Sequence, residues 1–188
     1  MTKTLTVKNT AYAAMGIALT AICSWISIPA LLPTMVPFTL QTFAVCLMAA
    51  LFGLRLGLWT VFGYILLGMV GAPVFAGFRG GPAALLGPTG GYIVGFIFTA
   101  LTVGLVSDRW NGKLPALVFA MALGMILCYT FGTVWFVIVY TRDNGSIGVL
   151  TALTWCVFPY LIPDGVKIAL AAILAKRLRG LVNKGLGS

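Results

Sequence analysis

Histidine is missing from this 188-residue chain, and only three residues are acidic: Asp108, Asp143 and Asp164. Without an imidazole, and with a single acid inside an apolar segment, the side-chain sets for Ser–His proteolysis, metal-assisted hydrolysis and two-metal phosphoryl transfer are not assembled. No GxxxxGK[ST] loop occurs, which excludes the usual backbone cradle for ATP. The four cysteines, Cys23, Cys46, Cys128 and Cys156, are scattered through apolar segments with no CxxC spacing. They support neither a zinc site nor a disulfide framework and read as packing residues. The chain is therefore not expected to be an enzyme, and no metal or cofactor is expected.

What the chain has in abundance is apolar surface. It is 61% hydrophobic and 8% charged, with a mean hydropathy of +1.08, whereas soluble domains run to roughly 45–50% apolar and about 25% charged residues. Apolar runs recur at about 20 residues, the length an α-helix needs to cross a hydrocarbon core of roughly 30 Å. The alternating polarity of a membrane β-barrel is not found. The expected class is an all-α integral membrane protein of one domain, with six spans at about 9 to 29, 38 to 54, 56 to 71, 88 to 107, 114 to 140 and 150 to 178. Lys3 and Lys8 precede the first apolar run in the manner of a signal peptide, but no small-residue cleavage site follows, so this run is read as the first membrane helix. Spans two and three are short and joined by "FGLRLG", where Gly53 and Gly57 flank Arg55.

The net charge of +9 would point to nucleic acid in a soluble protein, but here the cations lie between and beyond the apolar runs, where topology accounts for them. One side collects Lys3, Lys8, Arg55, Arg109, Lys113, Lys176, Arg177, Arg179 and Lys184; the other has Arg79 and Arg142, and Lys167 falls within span six. That bias of nine to two places both termini in the cytoplasm. The first external connection, "IPALLPTMVPF", is uncharged and carries Pro29, Pro33 and Pro37, a spacing no helix survives. It reads either as a lid over a cavity or as a lipid-facing turn. No internal repeat is visible, and the inverted halves of many secondary transporters are not detected.

Polar residues concentrate near the external side. The stretch from Asp164 to Leu178 covers about 22 Å as a helix, too short to span alone, so span six must begin near Leu150 and be interrupted. Pro163, with Pro159 four residues before it, predicts a kink or break there. Asp164 and Lys167 follow at a spacing that puts them on one helix face. A charge in the membrane costs about 2.5–3.5 kcal/mol on insertion scales, so a functional role outweighs the alternatives of a self-neutralising pair or a Lys167 that snorkels outward. "GPTGGYIVGF", residues 87–96, opens span four. Its Gly90 and Gly91 would let a group approach the backbone, or Gly91 and Gly95 would form a packing face; beside it, Arg79 is a candidate for a carboxylate. Gln41 heads span two as a two-way hydrogen-bonding group. Tyr92, Trp135 and Tyr140 are candidate apolar walls with polar tips, although such aromatics also serve as membrane-interface or core residues. In span one, Ala14 and Ala18 form a small-residue face for a partner helix, internal or external.

The glycine motif "GPTGGYIVGF", the "PDGVK" of span six and the AxxxA face of span one together resemble the BioY family, the biotin-specific substrate-capture subunits (S components) of energy-coupling factor (ECF) transporters. The resemblance covers essentially the whole chain. It implies a six-helix, multi-pass protein of the bacterial plasma membrane that captures biotin externally for an ATP-driven vitamin importer. It further implies partnership, through Ala14 and Ala18, with a transmembrane coupling protein and two ATPase subunits that hydrolyse the ATP, and toppling in the membrane to release the vitamin. The ligand chemistry fits these residues independently: Asp164 can accept from the ureido N–H groups, Lys167 can serve the ureido carbonyl or balance Asp164, and Arg79 or the span-four helix start can take the valerate carboxylate. Two other readings stay open: a solitary biotin facilitator or secondary transporter, and a non-transport membrane assembly protein whose embedded charges bind only another helix.

Overall fold

The structure is a computed structural model that describes residues 7–28 and 36–186. Lys3 and most of the proline-rich connection, including Pro29 and Pro33, lie outside these residues, and with them the choice between lid and lipid-facing turn. The chain is a bundle of α-helices: α1 Val7–Trp25, α2 Gln41–Met69, α3 Pro82–Leu86, α4 Gly90–Arg109, α5 Leu114–Asn144, α6 Val149–Cys156 and α7 Leu161–Leu186. A two-stranded antiparallel ribbon, β1 Ser27–Ile28 with β2 Phe38–Thr39, ties α1 to α2 through the register Ser27 with Thr39 and Ile28 with Phe38. Among the described residues, four helical stretches are long and apolar enough to cross a membrane: Gln41–Met69, Gly90–Arg109, Leu114–Asn144 and Val149–Val182. The 19-residue α1 is not among them.

α2 is not a rod. In an unbroken helix the 23-residue step from Gln41 to Tyr64 would span about 35 Å, yet the Gln41 amide donates a hydrogen bond to the Tyr64 hydroxyl. The chain reverses at Gly53, whose φ of 72° and ψ of −171° belong to a region open essentially to glycine alone. The two limbs fall within the ranges read from the sequence as the second and third spans, 38 to 54 and 56 to 71. They pack closely because Gly57 has no side chain: a Cβ there would stand 3.0 Å from the Cα of Ala49. Asp108 of α4 completes the turn by accepting the Leu54 N–H at 3.0 Å, one of the first-turn donors a helix cannot satisfy itself.

Close helix approach recurs wherever small residues face a neighbour. Gly16 of α1 meets Thr60 in the second limb of α2, Gly104 of α4 meets the Leu54 backbone, Gly95 of α4 meets Cys128 of α5, and Gly132 of α5 receives the ring of Tyr92. Ala14 and Ala18, by contrast, are exposed. The internal seam of α1 runs through Gly16 and Thr20, which leaves the AxxxA face outside the bundle.

The interruption in the last apolar stretch differs in position from the expectation. Helix α6 ends at Cys156, Val157 departs from helical geometry with φ −126° and ψ −57°, and a 3-10 turn over Phe158–Tyr160 leads into α7. Pro163 therefore sits in the first turn of α7, where a missing N–H costs nothing; Pro159, inside the 3-10 turn, stands at the break. The connection after α2 also contains the short helix α3, which composition alone did not signal.

The described cations segregate between the two ends. Helix α1 runs from the Gly53 turn, where Tyr12 meets Phe52 edge to face, to the loop at Pro73 and Val74, reached by Trp25 and Ser24. Lys8, Arg55, Arg109, Lys113 and the basic tail of α7 share the Gly53 end, opposite Arg79 and Arg142.

Candidate functional site

A cavity opens at the end opposite the Gly53 turn. Its walls come from β2 and the head of α2 (Thr39, Gln41, Thr42), the loop 75–79, the first turns of α4 (Tyr92, Ile93, Phe96), the middle of α5 (Met125, Cys128, Tyr129) and the α6–α7 break (Cys156, Tyr160, Asp164, Lys167). The break in the last span is what brings these groups together: it turns the start of α7 inward, so that Asp164 and Lys167 face the cavity rather than lipid.

Asp164 and Lys167 are 5% and 6% exposed and form an ion pair, Nζ to Oδ1, of 2.6 Å. A buried pair survives desolvation only when most of its remaining lone pairs and protons are satisfied, and here all but one of the carboxylate's acceptor positions are taken. The Asp164 carboxylate also accepts from Thr42 at 3.2 Å and from the Tyr129 hydroxyl. Lys167 donates to the Thr39 carbonyl at 2.6 Å and stands 3.9 Å above the Phe38 ring. The ammonium thus pins β2 to α7, and Tyr160 adds to this by donating to the Val36 carbonyl and stacking on Phe38.

Beside the ion pair, Gln41 is 5% exposed and held by two neighbours: its oxygen accepts from Thr39 at 3.0 Å, and its amide donates to Tyr64, whose hydroxyl passes the chain on to the Val74 carbonyl at 2.9 Å. Val74 belongs to the loop that carries Arg79. That loop is also held by Ser24 at 2.5 Å to the Val74 carbonyl and by Trp25 at 2.8 Å to the Pro73 carbonyl. It turns sharply, with Gly77 and Phe78 at φ 69° and 56°. Arg79 is exposed and lines the cavity mouth. Its Nε donates to the Ala76 carbonyl at 3.1 Å, and among the described residues its terminal nitrogens have no hydrogen-bond partner.

Of the candidate residues, Asp164, Lys167, Gln41, Arg79 and Tyr92 line the cavity. Gly90, Gly91, Trp135 and Tyr140 do not. The glycines do admit a close approach, but by the protein itself: a Cβ on Gly90 would lie 1.6 Å from the Leu85 carbonyl oxygen, and one on Gly91 2.3 Å from the Trp135 Cβ. Trp135 donates to the Gly87 carbonyl at 3.0 Å and so braces the turn into α4. Tyr140 stacks on Phe136 and meets Trp155 edge to face, away from the cavity. Residue types alone did not reveal Thr39, Thr42, Tyr129 or Tyr160. Tyr129 carries a weak signal in hindsight, since it sits in the α5 stretch "GMILCYTFG" otherwise almost free of polar groups that face inward.

The chemistry available in this cavity is recognition. Most of its polar groups are already hydrogen-bonded and held in place, its remaining walls are apolar, and no group of three or more metal-ligating side chains occurs among the described residues. Apolar walls with a few convergent polar groups are the pattern of a small-molecule site, and set in a bundle of membrane-length helices they define a membrane-embedded binding protein. The chain belongs to the BioY family, which matches it over residues 1–184. It is 38% identical to a probable biotin transporter BioY of Pyrococcus horikoshii over 173 residues, 92% of this chain and 97% of that one. It is 40% identical to the biotin transporter BioY of Thermotoga maritima over 164 residues, 87% of this chain and 91% of that one. Its fold superposes with a TM-score of 0.81 on the crystal structure of the S-component for biotin from an ECF-type ABC transporter, at 28% identity, covering 96% of this chain and 95% of that one. These relatives are transport proteins rather than enzymes.

Proposed function

We propose that this protein captures biotin on the external face of a bacterial plasma membrane and delivers it as the substrate-binding subunit of an ATP-driven importer. The observation that carries this reading is the pairing of two polar ends across an apolar cavity: Asp164, buried and held by three donors, at one end, and Arg79 at the mouth. Biotin has matching ends, a ureido group with two N–H donors and a valerate carboxylate, with a thioether ring between them. Asp164 accepts a ureido N–H, Arg79 takes the carboxylate, and Tyr92, Phe96 and Met125 cover the ring. Gly90, Gly91, Trp135 and Tyr140 act behind this shell by shaping the start of α4 and the α5–α6 packing.

Energy comes from outside the chain, from two ATPase subunits and a transmembrane coupling protein. The exposed Ala14 and Ala18 of α1 are the contact for the coupling protein, since a face of small side chains admits close helix packing. Both termini lie in the cytoplasm, in keeping with the segregation of cations.

Mass spectrometry of the small molecule retained by the purified protein tests the ligand directly, and biotin is the expected species. Titration gives the residue test. Asp164→Asn keeps the shape and removes the charge, and biotin affinity should fall by a hundredfold or more, about 3 kcal/mol, as for loss of a charged hydrogen bond in a dry site. Undiminished affinity would count against the assignment. Ala14→Trp should leave biotin affinity intact and abolish ATP-dependent uptake by the complete complex; normal uptake would remove α1 from the partner interface.

A further inference from the structure

Resting on the biotin reading, the arrangement of donors around Asp164 has a consequence for selectivity. A carboxylate offers about four lone-pair positions. Two at Oδ1 are taken by Lys167 and Thr42, and one at Oδ2 by Tyr129. A single position, on Oδ2, is left for a ligand. Lys167 is equally committed: of its three protons, one goes to Asp164, one to the Thr39 carbonyl, and the third side of the ammonium lies over the Phe38 ring. The ligand therefore meets a neutralised carboxylate with one unspent acceptor position, in a wall that carries no net charge.

We propose that Tyr129, with Thr42 beside it, is a positioning residue that sets Asp164 to accept one neutral N–H and to disfavour a cationic donor. A cation placed at Oδ2 would stand close to the buried Lys167 ammonium, 6% exposed, where like charges are screened less than in water and repel strongly. It would also gain little from a carboxylate whose charge is already spread over three hydrogen bonds. A cyclic urea suffers neither penalty. Selectivity of this kind comes from what the site withholds from the wrong ligand as much as from what it offers the right one. Removing the Tyr129 hydroxyl returns charge density to Oδ2 and so favours the cationic ligand relative to the neutral one.

The test compares biotin with 2-iminobiotin near neutral pH, where the latter's cyclic guanidine is protonated and its side chain is unchanged. Dissociation constants of both ligands are measured for the wild-type protein and for Tyr129→Phe, which keeps the ring and its packing. The ratio of the iminobiotin constant to the biotin constant should fall threefold or more in Tyr129→Phe. A merely structural role would weaken both ligands together and leave the ratio in place. If Tyr129→Phe does not fold, the isosteric Thr42→Val removes the donor at Oδ1 and should lower the ratio about twofold. A wild-type protein that fails to bind biotin would overturn the biotin reading itself. Biotin binding by the wild type, with the ratio unchanged in whichever variant folds, would overturn the positioning role of Tyr129 and Thr42.

Discussion

The two ends of the bundle solve the same packing problem with different residues. At the cavity end, Lys167 of α7 reaches the backbone just before α2, at the Thr39 carbonyl. At the Gly53 end, Arg179 of the same helix reaches the backbone of the first limb of α2, donating to the Ala50 carbonyl at 3.3 Å, to the Ser107 hydroxyl at 2.5 Å and to the Ser107 carbonyl at 2.8 Å. Ser107 in turn donates to Ala50 at 2.6 Å. Helix α7 and the first limb thus run in parallel and are stitched at both ends by a cation. Each end also has its aspartate, but in opposite employment. Asp108 serves a backbone N–H and lines no part of the cavity between β2, α4, α5 and α7, whereas Asp164 serves side chains and faces it. A charge that satisfies backbone groups closes a structure; one held by side chains with a lone pair to spare remains open to a ligand.

Damage should be most severe at the turn. Gly53→Val forces a branched side chain into φ 72° and drives its Cβ to 2.1 Å from the Asp108 carboxylate. Backbone strain and the lost Leu54 cap together should cost about 3–5 kcal/mol. The expected outcome is little or no monodisperse protein after detergent extraction. Normal yield and melting temperature would mean that the hairpin does not depend on this glycine.

A finer test separates stability from affinity. Arg179→Met removes the cation at the Gly53 end while keeping much of its apolar stem. Thermal unfolding in detergent should show a loss of about 1–3 kcal/mol, and biotin affinity should stay within about twofold of wild type. A large affinity change would show that the two ends are energetically linked. Asp164→Asn should give a different profile, a collapse of affinity together with a loss of stability of about 3–5 kcal/mol, because Lys167 is left buried without its counter-charge and keeps only the Thr39 carbonyl and the Phe38 ring.

Much of this architecture is readable from residue order. Hydropathy locates the long apolar stretches from Gln41 onward, though α1 falls short of them, and Gly53 in "FGLRLG" marks the division of α2. The coincidence of Pro159, Pro163, Asp164 and Lys167 marks an interrupted helix bearing an inward ion pair. What cannot be read is geometry that depends on partners distant in sequence. Tyr129 and Thr42 look like ordinary membrane-helix residues until α5 and α2 deliver them to the same carboxylate, 35 and 122 positions away in the chain. Proline chemistry points to Pro163, yet the chain breaks earlier, because a proline in a first turn disrupts nothing. Gly90 and Gly91 signal close approach correctly, but a glycine cannot disclose whether its visitor is a ligand or a tryptophan.

That last ambiguity sets the smallest effect. If Trp135 is a brace, Trp135→Phe keeps the ring against Gly91 and loses only the hydrogen bond to the Gly87 carbonyl. Such a loss costs about 0.5–1.5 kcal/mol and should appear as a modest drop in melting temperature. Affinity for biotin should change little, since Trp135 lines no part of the cavity and acts only through the turn that carries Thr89. A direct wall residue behaves differently: trimming an indole against a bound ring removes contact area, and affinity falls while stability of the ligand-free protein holds. Measuring both quantities on this one variant therefore decides which side of α5 faces the ligand, and a fall in affinity larger than the fall in stability would move Trp135 from the scaffold to the site.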